Sequence, residues 1–324
     1  MKNEDFIYLV ENAVKAPSGH NTQPWKFENI EDGIVIHPDF SRALPIVDLD
    51  NHALYISLGC ALENIVFAAK RKGYECKVGY PEDENGAITV KLNPAATRSP
   101  SNEDLFDFIA IRQVNRSKYS DKKINDEELE KLKSSFNFEG VSVVIMNGKT
   151  NFEKIIPFII EGNNLQFQNK QFIKELTSWF RYSKSEAEKT RDGLWTAAMG
   201  LPNMGKLIGS FVMKNFVTAK SEAKRLADLL ECTQGIAIFV ADKNDVENWV
   251  KTGQAFQRFS LTLTMLGICH AHLNMPCEEL EVRKKLAKEL GIENKHPLLL
   301  IRYGYADRKM PYSYRRNVND VIIK

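Results

Sequence analysis

Cysteine is scarce in this sequence, and its spacing suggests no pairing. The five cysteines are an odd number, and no two of them form a Cys-x-x-Cys pair. A disulfide framework needs an even set, and a structural zinc site needs closely spaced thiol or imidazole ligands. We therefore expect neither, and we expect the protein to work in a reducing compartment, the cytoplasm.

Long hydrophobic runs and an excess of either charge are also missing. The longest apolar runs, such as Ile236 to Ala241, have the length of a strand and are too short to span a bilayer. The first ten residues, MKNEDFIYLV, contain an early acidic pair and are not expected to act as a signal peptide. The 44 Lys and Arg residues nearly balance the 42 Asp and Glu residues. This balance argues against nucleic acid or an anionic membrane as the main partner.

Common nucleotide-binding and hydrolytic patterns are absent as well. The sequence has no GxxxxGK[ST] loop, no GxGxxG following a strand and no Ser-His-Asp arrangement. Nucleotides therefore have no dedicated Rossmann site in this chain. What remains is a chain of 324 residues, enough for about two ordinary domains.

An internal repeat suggests how these domains arose. The segment LGCALENIVFAAKRKGY at 58–74 resembles TGQAFQRFSLTLTMLGI at 252–268, with the glycines at 59 and 73 matching those at 253 and 267. Each segment has the pattern of a long helix that ends in glycine and precedes a strand. We interpret the chain as two fused, diverged copies of one unit that pack as a pseudo-dimer. Chance similarity of two amphipathic helices is the alternative.

Local patterns predict the remaining elements. They indicate helices at 3–15, 50–73, 102–112 and 278–290, with Asn3, Asp50 and Ser101 as caps, and a capping box at Asn125 and Glu128. They indicate strands at 25–30, 34–37, 76–80, 87–92, 141–146, 235–241, 268–273 and 298–303. A linker is expected at 93–101, and residues 150–232 read as a mostly helical insertion with a loop at 200–205.

The most specific segment is the ten residues Ala16 to Trp25, with the sequence APSGHNTQPW. Ending a helix at Pro-Ser-Gly frees backbone N–H groups and a hydroxyl in a tight turn, and Asn21 adds an amide that donates and accepts. These groups suit a flat heterocycle edged with carbonyls and ring nitrogens. The segment resembles the signature of the nitroreductase family, an Ala-Pro-Ser turn followed by Asn and by Gln-Pro-Trp. A plain loop that ends a helix is the alternative interpretation.

That resemblance implies a fold, a cofactor and a reaction. The fold would be α+β, with two half-units that each have a mainly antiparallel sheet flanked by helices. The cofactor would be FMN, and NADH or NADPH would be the co-substrate. The turn would supply cofactor contacts from six residues: Pro17, Ser18, Gly19, His20, Asn21 and Gln23.

Two basic segments resemble the parts of the family that grip the cofactor phosphate. The first is IRQVNRSKY at 111–119, with Arg112, Gln113, Asn115 and Arg116 as candidates; many relatives have Ser where this chain has Val114. The second is MPYSYRRN at 310–317, with Arg315 and Arg316 as candidates. The planar fork of arginine suits a phosphate dianion. Without the turn, either segment would be read as a solvated basic surface.

The order of these segments predicts one cofactor site per chain. In homodimeric relatives the arginine motif precedes the turn within each subunit, and the flavin lies at the interface. Here the turn lies in the first half, while the arginine motif and the basic arm lie in the second. We place the halves at 1–98 and 99–324, with the insertion at about 150–232. If one half has lost the arginine contacts and the other has lost the turn, the two halves together still form one complete site.

A further segment, Asn274 to Glu279, follows the predicted strand at 268–273 in the second copy. The resemblance implies that a backbone N–H of this segment lies near the reactive edge of the flavin. Met275 and Cys277 are the candidates. His270 and His272 could face one way on the strand as metal ligands would, but without a second ligand cluster we predict no metal.

The predicted function is an FMN-dependent NAD(P)H oxidoreductase. It would pass a hydride through the flavin to electron-poor small molecules such as nitroaromatics or quinones, by a ping-pong mechanism and without a side-chain acid or base. The alternative is a flavin-binding or sequestering protein of the same fold. In that case Trp179, Trp195 and the loop at 200–205 would form a lid over the flavin. We expect a monomer that acts as a pseudo-dimer.

Overall fold

The computed structural model describes residues 1–83, 86–95, 105–203, 205–216 and 218–323. The expected boundary between residues 98 and 99 lies outside these ranges, as do most of the linker predicted at 93–101 and the cap predicted at Ser101. The fold is α+β and contains two separate four-stranded antiparallel sheets.

The first sheet and its helices form the amino-terminal half. In chain order its elements are α1 (Asn3–Ala13), β1 (Trp25–Ile30), β2 (Gly33–Pro38), α2 (His52–Arg71), β3 (Tyr74–Gly79) and β4 (Ile88–Pro94). The predicted hairpin forms as β1 and β2, which pair from Trp25 opposite Pro38 to Ile30 opposite Gly33. The strand order across this sheet is β1-β2-β4-β3.

Both caps predicted for these helices are wrong in detail. The residue at the start of α1 is Lys2, and it makes no side-chain capping bond. At the start of α2, the backbone N–H groups of Ala53 and Leu54 donate to the carboxylate of Asp48 at 2.9 Å, so Asp48 takes the role expected of Asp50. Asp50 instead pairs with His52 and with Arg283 from the second half.

The second sheet repeats the topology of the first. Its strands are β5 (Val141–Asn147), β8 (Gly235–Ala241), β9 (Cys269–His272) and β10 (His296–Gly304), with helix α10 (Val246–Met265) between β8 and β9. The order across the sheet is β5-β8-β10-β9. If β5, β8, α10, β9 and β10 are matched to β1, β2, α2, β3 and β4, both halves have the same chain order and the same sheet order.

Helices α2 and α10 cross at the two glycines that the repeat aligns. A Cβ added to Gly59 would overlap the carbonyl oxygen of Val250 and lie 3.0 Å from the Gly253 Cα. A Cβ added to Gly253 would overlap the carbonyl oxygen of Ile56 and lie 2.9 Å from the Gly59 Cα. The offset that relates the two repeats takes Gly59 to Gly253 and Ile56 to Val250, so each glycine makes the same contact with the other helix. A pseudo-twofold axis therefore passes between the two glycines.

The insertion between β5 and β8 is mostly helical, as predicted. Its elements are α4 (Lys149–Phe152), α5 (Ile156–Gln168), α6 (Lys170–Ser178), β6 (Phe180–Arg181), α7 (Lys184–Thr190), β7 (Leu194–Trp195), α8 (Lys206–Phe216) and α9 (Ala219–Glu231). Strands β6 and β7 form a short parallel pair. The described residues of the predicted loop at 200–205 contain no helix or strand.

The segment before the second sheet differs from the prediction. Instead of an α-helix at 102–112, the described part has one 3₁₀ turn at Leu105–Phe108, and residues 112–116 form neither helix nor strand. Helix α3 (Asp126–Lys133) follows, and its predicted capping box at Asn125 and Glu128 is confirmed.

The chain ends by returning to the first half. After α11 (Met275–Glu278), α12 (Leu280–Glu289) and β10, the basic arm runs to α13 (Val318–Val321). Ile322 then forms a parallel bridge with Phe27 of β1, and the Ile323 N–H donates to the Phe27 carbonyl at 2.8 Å. The arm of the second half is thereby fixed against the first sheet.

Among the described helices, α2 alone has the length and apolar composition of a membrane span. Most of its residues are buried inside the fold against α1, α10 and the first sheet. Its hydropathy therefore reflects its place in the core.

Candidate functional site

The turn after α1 has a strained backbone. His20, Asn21 and Gln23 all have positive φ angles, at 48°, 55° and 54°. Left-handed conformations are costly for residues with a side chain and persist only where the surroundings enforce them. Here the Gln23 N–H donates to the Ser18 hydroxyl at 3.0 Å, which closes the turn from inside. Backbone strain of this kind marks a candidate functional site.

The amides of the turn hold the neighbouring segments in place. The Asn21 amide donates to the carbonyls of Gly193 and Tyr314, both at 3.1 Å. The Gln23 amide donates to the Arg191 carbonyl at 2.9 Å and accepts from the Arg316 N–H at 2.7 Å. The turn therefore joins the insertion to the basic arm, and both donors of Asn21 are already occupied by the protein.

Three arginines of the second half converge on this turn. Arg315 donates to the Asn21 side-chain oxygen at 3.0 Å, and Arg112 donates to the Lys15 carbonyl at 3.3 Å. Arg116 lines the same cavity, although its segment is not helical. The structure thus brings the turn of one half and the arginines of the other into one site.

The cavity between them is narrow and lined by polar side chains. Its volume is about 100 Å³, and none of its described lining residues carries a carboxylate. Five buried polar atoms on its lining residues have no hydrogen-bond partner among the described residues: His20 Nε2, Arg112 Nε and Nη1, Gln113 Oε1 and Arg315 Nε. Unpaired buried polar atoms are costly, so their convergence indicates a ligand site.

The electrostatics of the cavity specify the sign of that ligand. Burial lowers the pKa of Arg112 and of Arg116 to about 10, and burial together with the charge of Arg112 lowers the pKa of Arg315 to about 9. All three guanidinium groups remain protonated at neutral pH. A partly buried cluster of three cations without a lining carboxylate requires an anion.

Eight of the fourteen predicted cofactor-binding residues line this cavity: Pro17, Ser18, His20, Asn21, Arg112, Gln113, Arg116 and Arg315. The other six do not. Gly19, Gln23 and Asn115 support the turn or the arginine loop, where Asn115 donates to the Arg308 carbonyl at 2.9 Å. Arg316 donates to the Gln23 carbonyl and lies 3.6 Å from the Asp39 carboxylate. Met275 lines a neighbouring cavity, and Cys277 is buried in the core of the second half.

Seven lining residues were not predicted: Val114, Leu194, Ala198, His272, Pro311, Tyr312 and Ser313. Pro311, Tyr312 and Ser313 lie within the basic segment that the sequence singled out, directly before its arginines. His272 was considered only as a metal ligand. Leu194 and Ala198 come from the insertion, where no local pattern distinguishes them.

The insertion forms one wall of the cavity. Trp195 packs on Tyr314 of the basic arm with ring centroids 5.6 Å apart, and Arg191 donates to the Arg315 carbonyl at 2.7 Å. Trp179 lies elsewhere, between the guanidinium groups of Arg42 and Arg181. Of the two tryptophans proposed for a lid, Trp195 is therefore the one beside the cavity.

A second cavity of about 410 Å³ adjoins the first. The two share Arg116 and His272 as lining residues. Burial, with the charges of Arg116 and Arg112, lowers the pKa of His272 to about 3, so its ring is neutral at physiological pH. The two cavities are therefore adjacent, and cationic side chains line both of them.

We expect His20 to make the apoprotein less stable in mild acid. Burial, with the charge of Arg116, lowers the pKa of His20 to about 4, whereas an unfolded histidine titrates near 6.5. Below that pH the unfolded chain binds the extra proton, so the free energy of unfolding falls as the pH drops toward 4. Urea unfolding of the wild type and His20→Gln between pH 7 and 4.5 tests this. As the pH falls, the free energy of unfolding of the wild type should decrease by up to about 1.4 kcal/mol per pH unit more than that of the variant. Parallel pH profiles would contradict the assignment.

The fold is an α+β pseudo-dimer, and three arginines line the cavity between its halves. The chain is similar to known proteins along most of its length. The chain is 23% identical to a Mycobacterium tuberculosis protein provisionally named an NAD(P)H nitroreductase, covering 96% of this chain and 88% of that protein. It is 22% identical to the similarly named PigM of Serratia, covering 94% of this chain and 90% of that protein. These relatives confirm the resemblance to nitroreductases.

No protein-family profile matches the chain. Among solved structures, the FMN-dependent nitroreductase NfnB of Mycobacterium smegmatis, in complex with NADPH, is 16% identical. The match has a TM-score of 0.42 and covers 66% of this chain and 94% of that one. Because this score is low, the resemblance rests on the sequence relatives and on the residues of the site.

Proposed function

We propose that the protein is an FMN-dependent NAD(P)H oxidoreductase of the nitroreductase type. The observation that carries this proposal is the set of unpartnered N–H groups on Arg112 and Arg315, two residues that line a cavity completed by the turn of the other half. A free phosphate ion would be enough to pair with the three arginines, but it would not need any further space. The adjoining cavity of about 410 Å³ adds the room that a phosphate-bearing ring system needs.

The residues present fit FMN. Arg112, Arg116 and Arg315 would hold its phosphate with charged hydrogen bonds. The Ser18 hydroxyl and the side chains of His20 and Gln113 would meet its polar atoms. Asn21 would act by fixing Arg315, since both of its own donors are used within the protein. Because each half supplies one set of contacts, we expect one FMN per chain.

FMN would supply the redox chemistry of the reaction, the transfer of two electrons from NAD(P)H to an electron-poor acceptor. For a nitroaromatic the balance is NAD(P)H, one proton and the nitro compound giving NAD(P)⁺, the nitroso compound and water. The part of the second cavity that the flavin ring leaves open would receive the reductant and the acceptor in turn, which is a ping-pong order. The Met275 region lines that cavity and would lie beside the reacting partners. Cys277 is buried among apolar side chains and is left without a direct role.

The proposal predicts a yellow protein. Purified material should carry about one equivalent of FMN per chain, measured by absorbance and by chromatography after heat release. Anaerobic addition of NADH or NADPH should bleach the flavin absorbance, and a nitroaromatic or quinone should restore it. A colourless preparation that binds no added FMN would refute the proposal.

A sequestering role is the second candidate, and the wall formed by the insertion favours it. Leu194 and Ala198 line the first cavity, and hydrogen bonds fix this segment to the turn and the arm. A fixed wall could hold FMN while excluding a second ring. Flavin that stays oxidised under excess NADH and NADPH would favour this candidate over catalysis.

We also propose the division of the chain into halves at 1–98 and 99–324, which is supported by the equal strand order of the two sheets. A monomer that acts as a pseudo-dimer follows from it, because the single site already uses both halves. We propose a cytoplasmic location, since all five cysteines are free thiols.

A further inference from the structure

The second cavity combines an apolar interior with an excess of positive charge. Phe167, Phe180, Leu226 and Met275 are among its apolar lining residues. Its charged lining residues are five cations, Arg116, Lys118, Arg225, Arg302 and Arg308, and one carboxylate, Glu222. Glu222 is already paired with Arg225 at 2.7 Å, so four cations remain without an acidic partner among the described residues.

Arg302 is the most informative of these cations because it is deeply buried. Its side chain lies on β10 opposite Ala271 of β9, and the residue is only 1% exposed. One guanidinium nitrogen donates to the Ser117 carbonyl at 2.7 Å, and the group lies 4.0 Å from the centre of the Tyr119 ring. Its Nη1 has no hydrogen-bond partner within the described chain. Arg302 lines the cavity, and a buried cation with an unpartnered donor at such a position favours an anionic group on the ligand.

The remaining cations are closer to solvent. Lys118 and Arg308 are exposed, and Arg116 lies at the border with the first cavity. An anion that enters the cavity would therefore pass exposed positive charges before it reaches Arg302. Such an arrangement raises the local concentration of anionic ligands as well as their affinity.

We propose that the second cavity selects acceptors that carry an acid group on an aromatic body, with Arg302 as the specificity-determining cation. This inference rests on the proposed function, since it names the substrate class of the same site. The ring would pack on the apolar lining, and the carboxylate would accept hydrogen bonds from Arg302.

The phosphates of NAD(P)H are the other anions that could meet these cations. Arg302 exposes almost none of its surface, so the anion that it binds sits on a group small enough to enter the cavity. The phosphates of a dinucleotide lie between two large ring systems and suit an open, exposed cation better. We therefore assign Arg302 to the acceptor.

Two acceptors of nearly equal size test the assignment, 4-nitrobenzoate and 4-nitrobenzamide. The carboxylate withdraws less electron density than the amide, so the acid is intrinsically harder to reduce. The wild type should nevertheless show kcat/KM at least about tenfold higher for the acid, since a charged hydrogen bond is worth roughly ten- to a hundredfold. Arg302→Met should lower the acid-to-amide ratio by about that factor, and Arg302→Lys should restore part of it.

Because Arg302→Met could disturb the fold, two variants of exposed residues are also needed, one inside the cavity lining and one outside it as a control. Lys118→Gln/Arg308→Gln changes only exposed side chains and should lower the acid-to-amide ratio several-fold. Lys295→Gln removes an exposed cation that pairs with Asp242 at 2.7 Å, outside the cavity lining, and should leave the ratio as in the wild type. The rate of flavin reduction by NADPH, followed separately by stopped flow, should not change in Lys295→Gln.

Ligand binding without turnover separates this inference from the proposed function. In calorimetry on the purified protein, 2-naphthoate should bind at least about tenfold tighter than 2-naphthamide, and Arg302→Met should abolish the difference. Equal binding of acid and amide would overturn the inference even if the enzyme is active. A loss confined to the NADPH step would overturn it as well, because the cations would then serve the dinucleotide. If the protein holds no FMN but prefers the acid, the proposed function fails and the cavity assignment stands.

Discussion

Arg112→Met should bind FMN at least about a hundredfold more weakly than the wild type, and its apoprotein should be more stable to unfolding. Arg112 is 4% exposed in the wild type, and its Nε and Nη1 have no partner among the described residues. Two charged hydrogen bonds to a phosphate, each worth roughly 1.5–3 kcal/mol, are lost when methionine replaces it. In the apoprotein the same change removes a desolvated cation and should stabilise the fold by about 1–3 kcal/mol.

The opposite signs of these effects distinguish a ligand-binding arginine from a structural one. FMN affinity is measured by quenching of flavin fluorescence with apoprotein, and stability by urea unfolding with and without saturating FMN. A structural Arg112 would give a destabilised apoprotein and little change in FMN affinity.

Arg258→Met provides the matched control. Arg258 donates to the Glu63 carboxylate at 2.7 Å, and Glu63 is completely buried. Removing this cation leaves a buried acid with only the Gln254 amide as its partner, at 2.8 Å, and should cost on the order of 3 kcal/mol. FMN affinity should stay unchanged, because Arg258 does not line either cavity.

The cradle could be predicted from sequence because its parts are local patterns. The turn at 16–25 combines residues that are rare together, and its strain follows from non-glycine residues forced into left-handed backbone. The offset of the repeat identified Gly59 and Gly253 as equivalent positions. Their direct contact follows from that equivalence, since matching positions of two copies meet at the axis that relates them.

Other parts of the site depend on tertiary contacts and carry no local signal. The 102–112 segment has helical propensity, but contacts with distant residues fix the chain where the helix would end: Arg112 donates to the Lys15 carbonyl, and the Asn115 N–H donates to the His270 carbonyl at 2.9 Å. Leu194 and Ala198 reach the cavity only because the insertion bonds to the turn. Arg302 was detectable as a single charge in the apolar strand LLLIRYG, but its role needed the cavity.

Gly253→Ala should destabilise the protein by about 3 kcal/mol or more, although alanine favours a helix over glycine by about 1 kcal/mol. The added methyl group would overlap the carbonyl oxygen of Ile56, and backbone at a helix crossing cannot move aside without separating the two helices. Gly59→Ala should cost a similar amount, because its methyl group meets Val250 in the equivalent way. Urea unfolding of both variants measures the effect. Gly205→Ala, where an added Cβ has no neighbour within 4 Å, is the control and should change stability by less than about 0.5 kcal/mol.

The double variant Gly59→Ala/Gly253→Ala tests whether the same helix crossing causes the loss of stability in both single variants. Once α2 and α10 have separated to admit the first methyl group, the second needs less further movement, so the combined loss should be smaller than the sum. Because the turn belongs to one half and Arg112 and Arg315 to the other, this separation also widens the cradle. Variants that remain folded should therefore bind FMN more weakly, despite the distance of the glycines from the cavity lining. If both single variants are instead stabilised by about 1 kcal/mol, as helix propensity alone predicts, the two helices do not cross at these glycines.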